Sequence, residues 1–131
     1  MNVVDSSGWL EYFADGPNAK FFAGPIQATR DLLVPTISLF EVFKRMHQQR
    51  GEGPALEAVA AMHLGTVVEL TAPLALLAAR ASLERRLPMA DSIMLATSQA
   101  YGATLWTQDA DFESVAGVKF VRRARGAHRT P

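Results

Sequence analysis

The chain has 131 residues, of which 49% are apolar, 13 are basic, 13 are acidic and none is cysteine. This length fits one domain with one core, and the apolar content argues against disorder. The lack of cysteine excludes disulfides, thiolate catalysis and cysteine-based zinc sites, and the zero net charge gives no global argument for binding nucleic acid.

Short apolar runs alternate with helical patterns along the whole chain. The predicted strands are 2–4, 32–34, 66–70, 103–107 and 118–121. The first predicted helix begins at the capping residues Ser6 and Ser7 and runs to Phe13, and the second carries Phe21 and Phe22 before Gly24. The third begins at Ser38 and continues past Met46. The remaining helices are 55–64, 73–86 and 89–100, followed by one short helical turn through Phe112. Turn signals separate them at 15–17 and 50–54.

The order of these elements predicts an α/β fold. Strands that are short and continuously apolar, alternating with helices, are typical of a parallel sheet covered by helices on both faces. We expect one domain over residues 1–121 and a basic C-terminal tail over 122–131. No apolar run reaches ~18 residues and no leader pattern opens the chain, so we expect no membrane span and a cytoplasmic protein.

Ligands of such sheets bind beyond the carboxyl ends of the strands, and four acidic residues are predicted at that edge. Asp5 ends the first strand, and Asp109 follows the fourth. Glu41 is placed in the first turn of the helix after the second strand, and Asp91 at the start of the helix that leads into the fourth. Four carboxylates from separate parts of the chain are therefore expected to meet.

Each of these acids also has a purely structural interpretation. Asp5 and Asp109 would then cap the helical turns that follow them, and Asp91 would favour a helix N-terminus through the helix dipole. The segment from Ser38 to Glu41 matches a capping box, in which Glu41 serves only the backbone of Ser38. The spacing alone leaves both interpretations open.

Clustered carboxylates repel one another, and a hard divalent cation relieves that repulsion. Mg²⁺ or Mn²⁺ accepts oxygen ligands, pairs with phosphate and activates water. The sequence has no phosphate-binding glycine motif and no HExxH spacing, so other common sites are disfavoured. A metal-dependent nuclease is one function that this set would serve.

Three segments resemble the PIN domain family, of the type found in VapC-like toxin ribonucleases: VVDSSGWLEYF, SLFEV and MADSIMLATSQAYGATLWTQDADF. The resemblance extends from Val3 to Phe120. It implies a three-layer α/β/α sandwich with a mostly parallel five-stranded sheet. It also implies Mg²⁺- or Mn²⁺-dependent cleavage of RNA, a cognate antitoxin and a homodimer.

By the resemblance, the acidic residues of the family fall on Asp5, Glu41, Asp91 and Asp109, as catalytic residues and metal ligands. Thr107 matches a hydroxyl residue that supports the site, and we place Ser6 with it. Asp111 is expected to cap the turn that Phe112 anchors in the core.

Lys44 and Arg45 follow Glu41 on the same helix and are candidates for contacts with the RNA backbone. The alternative is a solvated helix face on which Arg45 pairs with Glu41. The four tail arginines would either bind phosphate or only increase solubility. The toxin hypothesis itself has two alternatives: a non-toxin nuclease of the same fold that processes RNA or acts on DNA, and a metal-stabilised binding module without turnover.

Overall fold

The computed structural model describes residues 1–124, and their elements alternate in the predicted order. The strands are β1 (Asn2–Val4), β2 (Leu32–Pro35), β3 (Thr66–Val68), β4 (Thr104–Thr107) and β5 (Val118–Phe120). The helices are α1 (Ser6–Phe13), α2 (Ala19–Gln27), α3 (Thr36–Arg50), α4 (Glu52–Met62), α5 (Ala72–Arg85) and α6 (Met89–Ala100). Two 3₁₀ turns, Thr29–Asp31 and Ala110–Phe112, precede β2 and follow β4.

The five strands form one sheet in the order β3-β2-β1-β4-β5, and every neighbouring pair is parallel. The chain builds the sheet outwards from β1 to β3, then crosses back to place β4 on the other side of β1. The order therefore reverses between β1 and β4, which is the switch point where ligands of such sheets bind. The predicted α/β class with a parallel sheet is confirmed.

Successive side chains of each strand enter different cores, as the period of two requires. Val4 and Val34 pack with Trp9, Phe22 and residues of α3 and α4 in one core. The neighbouring residues of the same strands, such as Val3 and Leu33, pack with α6 and Phe112 in a second core. Each face of the sheet thus carries its own layer of helices, as in a three-layer sandwich.

Two helix boundaries were predicted wrongly for reasons that involve proline. The α2 helix was expected to end before Gly24–Pro25, but it continues to Gln27 because the buried Ile26 extends its apolar face. The stretch 50–54 was expected to be a turn, but only Gly51, at φ +92°, lies between α3 and α4. Pro54 fits the first turn of α4, where a missing N–H breaks no helical hydrogen bond.

The predicted tail begins after β5, and the structure describes only its residues 122–124. The predicted contributions of Arg125 and Arg129 lie outside the described residues. Within residues 1–124, no helix is long and apolar enough to cross a membrane.

Candidate metal centre

Two predicted acids lie side by side at the switch point because they follow neighbouring strands. Asp5 comes directly after β1, and its backbone N–H donates to the carbonyl of Trp106 in β4 at 2.9 Å. Asp109 comes two residues after the end of β4. The parallel pairing of β1 with β4 therefore brings residues that are more than a hundred positions apart to one edge.

The first turn of α6 adds a third carboxylate. Asp5, Asp91 and Asp109 each offer an oxygen, and these three oxygens all lie within 4.8 Å of one another. The α6 helix packs against β1 and β4 and runs back across the sheet, so its N-terminus lies at the carboxyl edge of the strands. The structure thus brings three of the four predicted acids within reach of a single cation.

Asp5 is held by three hydrogen bonds. One carboxylate oxygen, Oδ1, accepts from the backbone N–H of Ser6 at 2.9 Å. The other, Oδ2, accepts from the hydroxyls of Ser7 at 3.0 Å and Thr107 at 2.9 Å. Asp5, not Ser6 or Ser7, is the N-cap of α1. Capping and membership of the acidic cluster are therefore not alternatives for this residue.

Thr107 connects the two carboxylates that follow β1 and β4. Its Oγ1 donates to Asp5 Oδ2 and accepts from the backbone N–H of Asp109, both at 2.9 Å. Thr107 is completely buried, and its bond to Asp5 is buried, while its bond to Asp109 is partly buried. One hydroxyl consequently restrains the side chain of Asp5 and the backbone of Asp109 together.

Glu41 is the fourth predicted acid, and its position differs from the prediction. The α3 helix begins at Thr36, so Glu41 lies in the second turn. Ser38 is inside the helix, where its hydroxyl donates to the carbonyl of Pro35 at 2.6 Å, and the capping-box interpretation of Glu41 is wrong. Instead, Glu41 Oε1 accepts from the hydroxyl of Ser6 at 2.6 Å. Glu41 is outside the group of three aspartates, beside it.

The turn after β4 is capped by Asp109, not by Asp111 as predicted. Asp109 Oδ1 accepts from the backbone N–H of Asp111 at 2.9 Å, which orients one oxygen of Asp109 towards the turn. The side chain of Asp111 is exposed, whereas Phe112 is completely buried, as predicted. A helical turn leaves its first backbone N–H groups without partners, and the residue just before the turn is placed to accept from one of them. Here that residue is Asp109, and the N–H is that of Asp111.

The surroundings of Asp5 and Asp91 disfavour the ionised form of both carboxyl groups. Burial raises the pKa of Asp5 from 3.8 to about 6, with Asp109 adding to the rise and the hydrogen bonds from Thr107, Ser7 and Ser6 opposing it. Burial and the charges of Asp5, Asp109, Glu41 and Asp111 raise the pKa of Asp91 to about 7. Asp91 is only half-buried, but it has no comparable hydrogen bonds to lower its pKa.

These residues fit a hard divalent cation. The three aspartates supply oxygen donors, which Mg²⁺ and Mn²⁺ prefer, and the charges of neighbouring carboxylates contribute to the raised pKa values of Asp5 and Asp91. A cation between them would replace this repulsion by attraction and would favour the ionised carboxylates.

The acids form one wall of an open cleft with a volume of about 900 Å³. The helix α3 also lines the cleft, with Glu41 and with the exposed side chains of Lys44 and Arg45. Lys44 Nζ lies 5.7 Å from the centre of the Phe40 ring. Within residues 1–124 Arg45 makes no ion pair with Glu41, and both the RNA contact and the solvated helix face stay interpretations of this surface. Arg123 also lines the cleft, while Arg122 contacts Glu113 at 3.7 Å.

Three polar residues beside the acids were not predicted from the sequence. Glu11 and Gln108 are each only 2% exposed and line the cleft, and Asn18 binds both of them. Glu11 lies four residues after Ser7, on the helix that Asp5 caps, and this spacing is the only signal in the sequence. Nothing in the pattern around Gln108 distinguishes it from a solvent-exposed loop residue.

The comparisons with known proteins agree with this architecture. The sequence profile of the PIN domain matches residues 3–118 of the chain. No curated protein matches the chain.

Several solved structures share the fold. A toxin–antitoxin complex from Klebsiella pneumoniae superposes with a TM-score of 0.75 at 21% identity, over 91% of this chain and 96% of that one. The sarcin-ricin loop cleaving toxin VapC20 of Mycobacterium tuberculosis gives 0.74 at 18% identity, over 88% and 95%. VapBC2 of Rickettsia felis, bound to promoter DNA, gives 0.72 at 10% identity, over 92% and 97%. At these identities the likeness establishes the fold alone.

Proposed function

The chain belongs to the PIN domain family, and we propose that it is a Mg²⁺- or Mn²⁺-dependent endoribonuclease, the toxin of a toxin–antitoxin pair. The observation that carries this proposal is the group of three aspartate oxygens within 4.8 Å of one another, in an open cleft at the switch point of the sheet. We assign the nuclease to residues 1–121 and treat 122–131 as a basic tail.

Asp5, Asp91 and Asp109 are the proposed metal ligands, and Glu41 is the fourth acid of the site. A bound cation would activate water and stabilise the departing oxygen of a phosphodiester. Thr107 and Ser6 would hold the acids in place, since Thr107 donates to Asp5 and Ser6 donates to Glu41. Glu41, without a place among the three ligands, is free to orient or deprotonate water at the edge of the site.

The proposed substrate is RNA, whose backbone would lie in the cleft opposite the acids. Lys44 and Arg45 project from α3 into this cleft and are not neutralised by Glu41. Arg123 lines the same cleft at the start of the tail. Cations on the rim would hold phosphates that the acidic wall repels, and this division supports binding of a phosphodiester across the cleft.

The proposed partner is an antitoxin, because structural neighbours include toxin–antitoxin complexes. A groove of about 210 Å³ between the end of α1, α3 and α4 is lined by apolar Phe13, Met46 and Ala58 with Arg50 and Glu57 at its sides. An apolar groove with charged edges suits an amphipathic segment of a partner. We place the antitoxin contact there.

We further propose a homodimer in the cytoplasm. The α5 helix carries large apolar side chains that are exposed. Leu76 is 73% exposed and Leu83, one heptad later, is 84% exposed. Exposed leucines at this spacing form one stripe of the helix, which a second copy would cover.

The direct test is cleavage of purified RNA by the purified chain, with Mg²⁺ or Mn²⁺ and with excess chelator. We expect cleavage with metal only, and loss of about 100-fold or more in Asp91→Asn, because a ligand is removed. Cleavage that persists in chelator would contradict the metal mechanism. Metal binding without any cleavage of RNA or DNA would favour the binding-module alternative.

The toxin assignment has a separate test. Expression without a partner should stop growth, and Asp91→Asn at equal protein level should relieve it. A wild-type chain that is abundant, folded and harmless, yet cleaves RNA in vitro, would support the alternative of a non-toxin nuclease.

A further inference from the structure

A buried carboxylate outside the proposed acids lies at the corner between α1 and α2. Glu11 is 2% exposed and lies on α1. Its Oε2 accepts from the backbone N–H of Asn18 at 2.7 Å, and its Oε1 accepts from Gln108 Nε2 at 3.4 Å. Both partners are donors, so the position suits a carboxylate, which only accepts.

Gln108 uses both ends of its side chain in the same corner. Its Nε2 is also 3.4 Å from the carbonyl of Ser7, and its Oε1 accepts from Asn18 Nδ2 at 3.0 Å. The same amide of Asn18 donates to the carbonyl of Arg122 at 3.0 Å. Glu11, Asn18 and Gln108, here called the corner network, thus join α1, the turn before α2, the loop after β4 and the segment after β5.

The turn after α1 is shaped around the Glu11 carboxylate. A side chain at Gly16 would place its Cβ 2.6 Å from both Cδ and Oε2 of Glu11, which is closer than real Cβ atoms approach. Glycine therefore allows the backbone of the turn to lie directly against the carboxylate. The Glu11 side chain is enclosed by this turn on one side and by Gln108 on the other.

Gln108 lies between Thr107 and Asp109, two residues of the proposed metal centre. Its predecessor Thr107 donates to Asp5, and its successor Asp109 supplies one of the three clustered oxygens. Fixing the side chain of Gln108 in the corner fixes the backbone that runs from Thr107 to Asp109. We propose that the corner network is a positioning device, in which Glu11 acts through Gln108 to orient Asp109 towards the cation of the metal centre.

This inference rests on the proposed metal centre, and its test reads the metal rather than cleavage. Glu11→Gln keeps the size of the side chain but replaces one acceptor by a donor, so it cannot accept from both Asn18 and Gln108 as the carboxylate does within residues 1–124. Mn²⁺ affinity, measured by calorimetry on the full chain at pH 8, should fall roughly tenfold, the lower end for residues that hold a ligand in place. Glu84→Gln, on the exposed face of α5, is the matched control and should bind Mn²⁺ like the wild type.

A double variant distinguishes positioning from general destabilisation. In Glu11→Gln with Gln108→Glu, the new amide at position 11 can donate to the new carboxylate at position 108, which still accepts from Asn18. The bond between positions 11 and 108 is restored and the total charge is that of the wild type, but the carboxylate at position 108 can no longer donate to the carbonyl of Ser7. We expect this pair to recover part of the lost Mn²⁺ affinity. Asn18→Ala, at a half-buried position, should weaken Mn²⁺ binding less than Glu11→Gln and provides the test if the buried variants do not fold.

Two outcomes would overturn the proposal. Glu11→Gln that melts earlier but binds Mn²⁺ like the wild type would reduce the corner network to a structural role. A double variant that binds no better than Glu11→Gln would mean that the bond between positions 11 and 108 does not orient Asp109. A wild-type chain that binds no Mn²⁺ would instead overturn the metal centre, and the inference together with it.

Discussion

The two walls of the cleft are built in opposite ways. The sheet edge, meaning Asp5, Thr107 and Asp109, is mostly buried and joined by short hydrogen bonds between β1 and β4. The α3 rim, meaning Glu41, Lys44 and Arg45, is half-buried or exposed, and among residues 1–124 its side chains make one hydrogen bond, which Ser6 donates to Glu41. Hydrogen bonds therefore restrain the side chains at the sheet edge, whereas the side chains of the α3 rim are less restrained.

The difference indicates which part of the site lowers the stability of the fold. At the sheet edge the protein buries the carboxylate of Asp5, and this burial raises its pKa and destabilises the metal-free chain at neutral pH. At the α3 rim the charged groups remain in water, so their desolvation is small. Substitutions at the sheet edge should therefore change stability and metal binding together, and those at the rim should change binding with little effect on stability.

The largest effect on stability is expected from Asp5→Asn in the metal-free chain. The pKa of Asp5 is about 6 when folded and near 3.8 otherwise, so its stabilising contribution is complete below pH 3.8 and is lost as the pH rises through 6. Above that range the ionised carboxylate destabilises the fold by roughly 3 kcal/mol. Asp5→Asn should be more stable than the wild type at pH 8 and similar at pH 4.

Thermal melts across this pH range, with chelator present, measure the effect. Asp31→Asn, at an exposed position in the 3₁₀ turn before β2, is the matched control and should follow the wild type. Parallel stability curves for wild type and Asp5→Asn would show that the Asp5 carboxylate is not strained by burial.

The next effect is expected at Thr107, which is buried and serves both aspartates. Thr107→Val leaves the N–H of Asp109 without its acceptor and removes one donor from Asp5, which should lower the free energy of unfolding by about 1–3 kcal/mol. Thr107→Ser keeps the hydroxyl and should lose clearly less. Urea titration of both variants measures their free energies of unfolding. Equal losses in the two variants would mean that position 107 contributes through packing of its methyl group and not through its hydroxyl.

At the α3 rim, Glu41→Gln should alter metal binding without disturbing the fold. The hydroxyl of Ser6 can still donate to the amide oxygen, so the local contact survives. A bound cation stabilises the folded state by RT ln(1 + [L]/Kd), and the variant should gain less melting temperature than the wild type as Mn²⁺ is added. The exposed Glu57→Gln serves as control. Equal Mn²⁺-induced shifts, with cleavage unchanged, would remove Glu41 from the site.

The smallest effect is expected from Lys44→Ala combined with Arg45→Ala. Each phosphate contact to single-stranded RNA contributes a slope of about 0.7 in log affinity against log salt, so the slope should fall by about 1.4. Binding is measured on the Asp91→Asn background to prevent cleavage, and Arg80→Ala with Arg85→Ala on α5 is the control. An unchanged slope would return Lys44 and Arg45 to the interpretation of a solvated helix face.

The sequence was sufficient for the sheet and for the edge at which the acids gather. Strands of this fold are buried on both faces, so they are visible as short apolar runs, and parallel strands must end at the same edge. Asp5 and Asp109 were predictable there because Asp5 directly follows such a run and Asp109 comes two residues after one. Phe112, which is completely buried, was also predicted as the anchor of the turn after β4.

Contacts between distant segments were not predictable from local patterns. The capping box at Ser38 failed because α3 starts two residues earlier, and Glu41 instead contacts Ser6, which is 35 positions away. The corner network was not predicted for the same reason, since 97 positions separate Glu11 from Gln108. Only the packing of α1 against β4 brings these polar side chains together.

The central claim is that the aspartates at the switch point hold a divalent cation. It is tested most directly by Mn²⁺ calorimetry at pH 8, where both carboxylates with raised pKa values are ionised, on the wild type, Asp109→Asn and Asp111→Asn. Asparagine at 109 can still cap the turn, so the two variants differ mainly in whether the lost charge lies in the cluster. We predict roughly tenfold or greater loss of affinity for Asp109→Asn and near wild-type affinity for Asp111→Asn. Equal binding by all three proteins, or no binding by the wild type, would contradict the account.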